Sequence, residues 1–137
     1  VIEGQVGFTA ASDKRLKKDI KSLDVGLDFI MQLNPVSYQM KNFNDGKLNW
    51  GFLAQDIESL VGDENAILTV GGDAERTLGL RYTDFIAPLV KAVQEQQKLI
   101  AELKGQIEQN RLELETLKID VKASKQSDSV SNSAGND

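Results

Sequence analysis

Apolar residues recur every seven positions over residues 86–121. With Ile86 set at position a of a heptad, the a positions are Ile86, Val93, Ile100, Ile107, Leu114 and Val121, and the d positions are Leu89, Gln96, Leu103, Asn110 and Leu117. A seam sustained over about five heptads predicts a coiled coil in preference to a lone helix packed on a core. The helix that carries it is expected over 83–120. Pro88 falls near its first turn, where a missing N–H matters least. Glu113 at g can meet Lys118 at the following e of a neighbouring chain, which favours a parallel arrangement in register. Ile or Val at a with Leu at d leans toward two strands, but two polar d positions leave the number of chains open.

Upstream the periodicity changes from element to element. Leu16, Ile20 and Leu23 recur at helical spacing and predict a helix from Ser12. A second short helix is expected over 25–33, ended by Asn34-Pro35. Residues 36–40 alternate as a strand, Asn44-Asp45-Gly46 has hairpin-turn chemistry, and 47–52 returns as the partner strand. Trp50 and Tyr38 then read as hairpin core more naturally than as a ligand shelf. Residues 54–61 form a short helix ended by Gly62, with Phe52, Ile57 and Leu60 as core. Residues 66–70 and 77–82 flank Gly71-Gly72-Asp73 as a second hairpin, expected to project from the body. Residues 1–8 are strand-like but too few to fold alone, and 121–137 are polar and low in complexity, as disordered chain is. The fold class expected is α+β: a small domain of short helices and β-hairpins over 12–82, followed by a long C-terminal helix.

Composition narrows the function. The chain has 137 residues, 40% of them hydrophobic, enough for one small core and compatible with further burial against sister chains. A net charge of −5 argues against non-specific nucleic-acid binding, and the basic run at 14–21 is too short and too interleaved with acids to reverse that. No stretch reaches the roughly 18 apolar residues of a membrane span, and the first residues lack the form of a secretion signal. Neither a nucleic-acid nor a membrane partner is expected, and the absence of Cys is compatible with a reducing cytosol. With no His and no Cys, Ser-His-Asp triads, Cys-His pairs and the usual zinc sites are excluded. No metal or other cofactor is expected.

What remains for acyl transfer is a serine with a lysine, and one stretch offers both. In Thr9-Ala10-Ala11-Ser12-Asp13-Lys14-Arg15-Leu16-Lys17-Lys18 small residues lead to a serine, and cationic residues follow at once. A lysine acts as a base only when neutral, and like-charge crowding by Lys14, Arg15, Lys18 and Lys21, together with burial, pushes in that direction. The plain alternative is a solvated helix start, with Ser12 or Asp13 as N-cap and Asp13/Lys17 and Arg15/Asp19 as i,i+4 pairs. On a continuous helix Ser12 and Lys17 would point about 140° apart. A working pair therefore needs Ser12 ahead of the helix with the lysine folded back, or a lysine from a sister chain.

Ser12-Asp13-x-Arg15-Leu16-Lys17 resembles the S-D-x-R-L-K segment of the C-terminal intramolecular chaperone domain, peptidase family S74, of phage tail fibres, tailspikes and endosialidases. Leu33-Asn34-Pro35-Val36-x-Tyr38, Gly51-Phe52-Leu53-Ala54-Gln55-Asp56-Ile57-Glu58 and Leu80-Arg81-Tyr82-Thr83-Asp84 resemble its later segments, in family order. The resemblance implies a parallel trimeric coiled coil with Ile86, Leu89, Val93, Ile100, Leu103, Ile107, Leu114 and Leu117 in the seam. It further implies a single-turnover self-cleaving peptidase, with Ser12 and Lys17 as catalytic dyad, Ala11-Ser12 as the bond cut, and Asp13 and Arg15 in support. Residues 1–11 would be the end of a cargo fibre that is the chaperone's partner in the same polypeptide. Assembly would take place in the host bacterial cytoplasm, with the cargo ending in the virion tail.

Overall fold

Two stretches remote in sequence, residues 27–33 and the start of the long helix, meet on one apolar cluster. The computed structural model describes residues 7, 9–42 and 45–135. In chain order the elements are a 3-10 turn Lys14–Leu16, helix α1 Leu27–Gln32, strands β1 Val36–Tyr38 and β2 Asn49–Gly51, helix α2 Ala54–Val61, strands β3 Leu68–Val70 and β4 Leu78–Leu80, a 3-10 turn Tyr82–Phe85, and helix α3 Ile86–Ala134. The strands form two separate antiparallel hairpins. The α+β class, the two hairpins and the long C-terminal helix are therefore as the sequence predicts. The first residues, read as strand-like, fall largely outside the described residues, as does Asn44 of the first turn.

The core is small: Ile57, Ile67, Leu68 and Phe85 are buried, with Phe29, Leu33, Phe52, Val61, Leu78 and Leu80 packed around them. Phe85 lies at its centre, with its ring 5.1 Å from Phe52, 6.0 Å from Tyr82 and 6.4 Å from Phe29, centroid to centroid. Such offset aromatic contacts add to plain area burial. The 3-10 turn that carries Tyr82 and Phe85 thus welds the root of α3 to the domain, and α1 packs along α3. Pro88 sits buried in the first turn of α3, where it breaks no intrahelical bond.

α2 has the bounds the sequence predicts. It stops at Gly62, whose φ of +73° is left-handed and suits glycine, and whose N–H closes on the Glu58 carbonyl at 2.8 Å. The β3–β4 hairpin pairs Leu68 with Leu80 and Val70 with Leu78, which sets Leu68, Leu78 and Leu80 against the core. Its tip does not stand free. Asp73 accepts from the Thr77 N–H and hydroxyl, and Arg76 reaches Glu58 of α2 at 2.6 Å.

Three expectations are corrected. The helix from Ser12 shrinks to one 3-10 turn. Lys17 is already extended, and Asp19 takes a left-handed φ of +52°. Lys14, Lys17, Lys18 and Lys21 would stack like charges on a helix, and Leu16 is 74% exposed rather than packed on the core. Helices this short depend on such packing. Trp50 is not core but 87% exposed. It pairs with Ser37 across β1–β2, while the neighbouring register pair Val36–Gly51 is half-buried, so strand alternation turns Trp50 outward. Finally, α3 continues through Ala134, beyond the boundary at 120 and into the stretch predicted to be disordered. No proline interrupts it after Pro88, and Ser129, Ser131 and Ser133 bond back to the carbonyls of Gln126, Asp128 and Val130. Such bonds meet the serines' hydrogen-bonding need without breaking the helix. No helix among the described residues is long and apolar enough to cross a membrane.

Candidate functional site

Ser12 stands two residues ahead of the first 3-10 turn, and Asp13, between them, caps that turn. The turn is one residue triplet long: the Leu16 N–H returns to the Asp13 carbonyl at 3.0 Å and the Lys17 N–H to the Lys14 carbonyl at 3.1 Å. Beyond it the chain leaves extended, with Lys17 at φ −113°, ψ 147°. Entry and exit are thereby brought together, and the Lys17 side chain folds back over the turn. Its Nζ donates to Ser12 Oγ at 2.8 Å. Of the two arrangements that the sequence allows, the folded-back lysine is the one present, within a single chain.

A side-chain clamp holds the turn. One Asp13 oxygen accepts from the Arg15 N–H at 2.9 Å, and the carboxylate also takes Arg15 Nε at 3.1 Å and Nη2 at 2.6 Å. This is a two-pronged carboxylate–guanidinium fork combined with a backbone cap. The guanidinium, and after it the backbone N–H, keeps the Asp13 carboxyl below the usual carboxylate range, and Arg15 is raised in turn. The i,i+4 pairs of the plain alternative are replaced by this i,i+2 clamp. The charge of Arg15 is thereby met by Asp13 at 2.6 Å. The N–H groups of Arg15, Leu16 and Lys17 are occupied by Asp13 and Lys14, and so they are not free to hold an oxyanion. Residues 9–24 are exposed throughout in the single chain.

The seam residues lie on α3, away from the dyad. Ile86, Leu89, Val93, Ile100, Leu103, Ile107, Leu114 and Leu117 are all exposed in the single chain. The last apolar seam position is Val121; position d at 124 is serine and position a at 128 is aspartate. The apolar heptad pattern thus stops short of the end of the helix, which runs to Ala134.

Sequence reading missed the residues that set the domain on its helix. Glu95 of α3 accepts the Leu27 N–H at 3.1 Å and so caps α1 from outside. Gly26 is buried beneath it, and a β-carbon there would meet Glu95 Oε1 at 2.5 Å and Lys91 Cγ at 2.7 Å. Tyr82 accepts the Phe52 N–H on its hydroxyl at 3.1 Å, and Gly51 leaves room for it. Gly26, inside the first turn of the helix expected over 25–33, is the one signal in sequence; its partners are too distant along the chain to be seen.

No curated protein matches the chain. Its first three motifs, at 12–17, 33–38 and 51–58, lie within the matched part of a family model, and the fourth, at 80–84, lies beyond it. That model is Peptidase_S74, described as the chaperone of endosialidase, and residues 12–66 are similar to it.

Proposed function

We propose that this chain is an intramolecular chaperone that trimerises, registers a phage tail fibre or tailspike for folding, and then releases itself by cutting between Ala11 and Ser12. The family match supports the chaperone role. The observation that carries the chemistry is the 2.8 Å contact of Lys17 Nζ with Ser12 Oγ beside that peptide bond. Neutral Lys17 takes the Ser12 hydroxyl proton as Oγ attacks the carbonyl carbon of Ala11. Collapse breaks the bond to the Ser12 nitrogen, which receives the proton back from Lys17. An Ala11–Oγ ester and a free amine result, and water hydrolyses the ester. Each chain turns over once.

Three chains joined through the α3 seam hold the cargo ends together, which lowers the entropic cost of starting contacts between separate chains. Burial of the basic turn against its neighbours completes the environment in which Lys17 loses its proton. Cleavage then separates cargo from chaperone and turns equilibrium stability into kinetic stability.

Intact mass of freshly expressed chain tests the reading. A fragment beginning at Ser12 is expected from the unmodified protein and full-length chain from Ser12→Ala, with Lys17→Ala slower by at least about a hundredfold. Unmodified protein that stays full length would favour a trimerisation tag without chemistry, and cleavage of Ser12→Ala at the normal rate would discard the dyad.

A further inference from the structure

We infer that the polar d residues Gln96 and Asn110 set the register between chains, and that their spacing selects against a slip of one heptad. This rests on the α3 seam being the interface proposed above. The a positions cannot select a register, since they are apolar from Ile86 to Val121. The flanking charges do so only in part. Glu113 at g faces Lys118 in register and Arg111 or Lys125 in the two one-heptad slips, favourable in all three, while Asp120 at g faces Lys125 in register, Lys118 in one slip and the neutral Asn132 in the other.

The d positions behave differently. They read Leu89, Gln96, Leu103, Asn110, Leu117, a strict alternation of apolar and amide residues. In register, each layer meets its own kind, and the amides can hydrogen-bond one another across the seam. A slip of one heptad sets leucine against an amide in every overlapping d layer and strands amide groups in an apolar seam. A slip of two heptads restores like with like but gives up two heptads of contact. The pattern has a period of 14 residues, about 21 Å along the helix. One such device fixes register in a way that a uniformly apolar seam cannot. Its purpose follows from the fold: α3 is welded through Phe85 to the domain bearing Ser12, so a slip of one heptad would displace one domain by about 10 Å from its neighbours.

The chain has no cysteine, so one reporter can be placed cleanly. Glu102, exposed at position c of α3, is replaced by a spin-labelled cysteine in the otherwise full chain, and interchain distances are measured by pulsed electron resonance. One narrow distance is expected. With Gln96→Leu and Asn110→Leu added, the thermal midpoint should rise and a second population should appear, displaced axially by about 10 Å. A single unchanged distance in the double variant would overturn the inference while leaving the oligomer intact. A monomeric unmodified chain by sedimentation would instead remove the interface on which it rests.

Discussion

Glu95 is expected to be the latch between the small domain and the long helix, and a double-mutant cycle with Gly26 measures it. Glu95→Ala removes the acceptor 3.1 Å from the Leu27 N–H, leaving one first-turn donor of α1 without its cap, for about 1 kcal/mol. Gly26→Ala puts a β-carbon 2.5 Å from Glu95 Oε1, 3.0 Å from its Cδ and 2.7 Å from Lys91 Cγ. Crowding of this kind costs about 1–3 kcal/mol, and moving the Glu95 carboxylate aside forfeits the same hydrogen bond. That bond can be lost only once, and in the double variant only Lys91 remains in the way. The two changes together should therefore cost less than their sum by about 1 kcal/mol. Urea unfolding followed by circular dichroism suits the purpose, at one fixed protein concentration because association shifts apparent stability, and in the Ser12→Ala background to keep the chain uncut. Additivity within about 0.3 kcal/mol would refute the latch.

Two further outcomes concern the proposed chemistry. Ile100→Asp with Ile107→Asp sets charges into two successive a layers, at several kcal/mol each if the seam is desolvated; the variant should sediment as a monomer and stay uncut, and a monomer that cuts at the normal rate would end the idea that assembly gates cleavage. Asp13 bears on the pH profile. Arg15 holds its carboxyl below the usual carboxylate range, so the clamp is complete above that range and is lost as pH falls through the lowered value. Asp13→Asn should accordingly change the rate of cleavage without adding or removing a limb between about pH 5 and 8, and a limb that vanishes there with this substitution would show that the clamp titrates where it should not.

Local rules carried the reading furthest where an element answers mainly to its own residues. α2 ends at its glycine as predicted, and the two hairpins follow their turn residues, because strand alternation and left-handed turn positions are written within a few neighbours. The folded-back Lys17 is one of the two geometries the sequence leaves open, and what it does not show is the single turn, closed by Asp13 and Arg15, that brings Lys17 Nζ to Ser12 Oγ. Misreadings came where the partner lies elsewhere. Leu16, Ile20 and Leu23 repeat at helical spacing, but a helix also needs a surface to lie on, and Leu16 and Ile20 are 74% and 60% exposed. Trp50 was assigned to the core by its size, whereas one step of strand register sent it outward and left Phe52 to fill the interior. Glu95 contacts residues almost seventy positions earlier, beyond the range of any periodicity.

Trp50 has a spectroscopic consequence. It is the sole tryptophan of the chain, and at 87% exposure its indole meets water in the folded domain almost as fully as it would in an unfolded one. The colour of its emission is thus nearly blind to whether a lone chain is folded. Any macromolecule laid across the β1–β2 face would exclude that water and shift the emission to the blue. The domain carries an intrinsic sensor of contact, readable without a label during assembly, and its silence in dilute solution reports solitude, not unfolding.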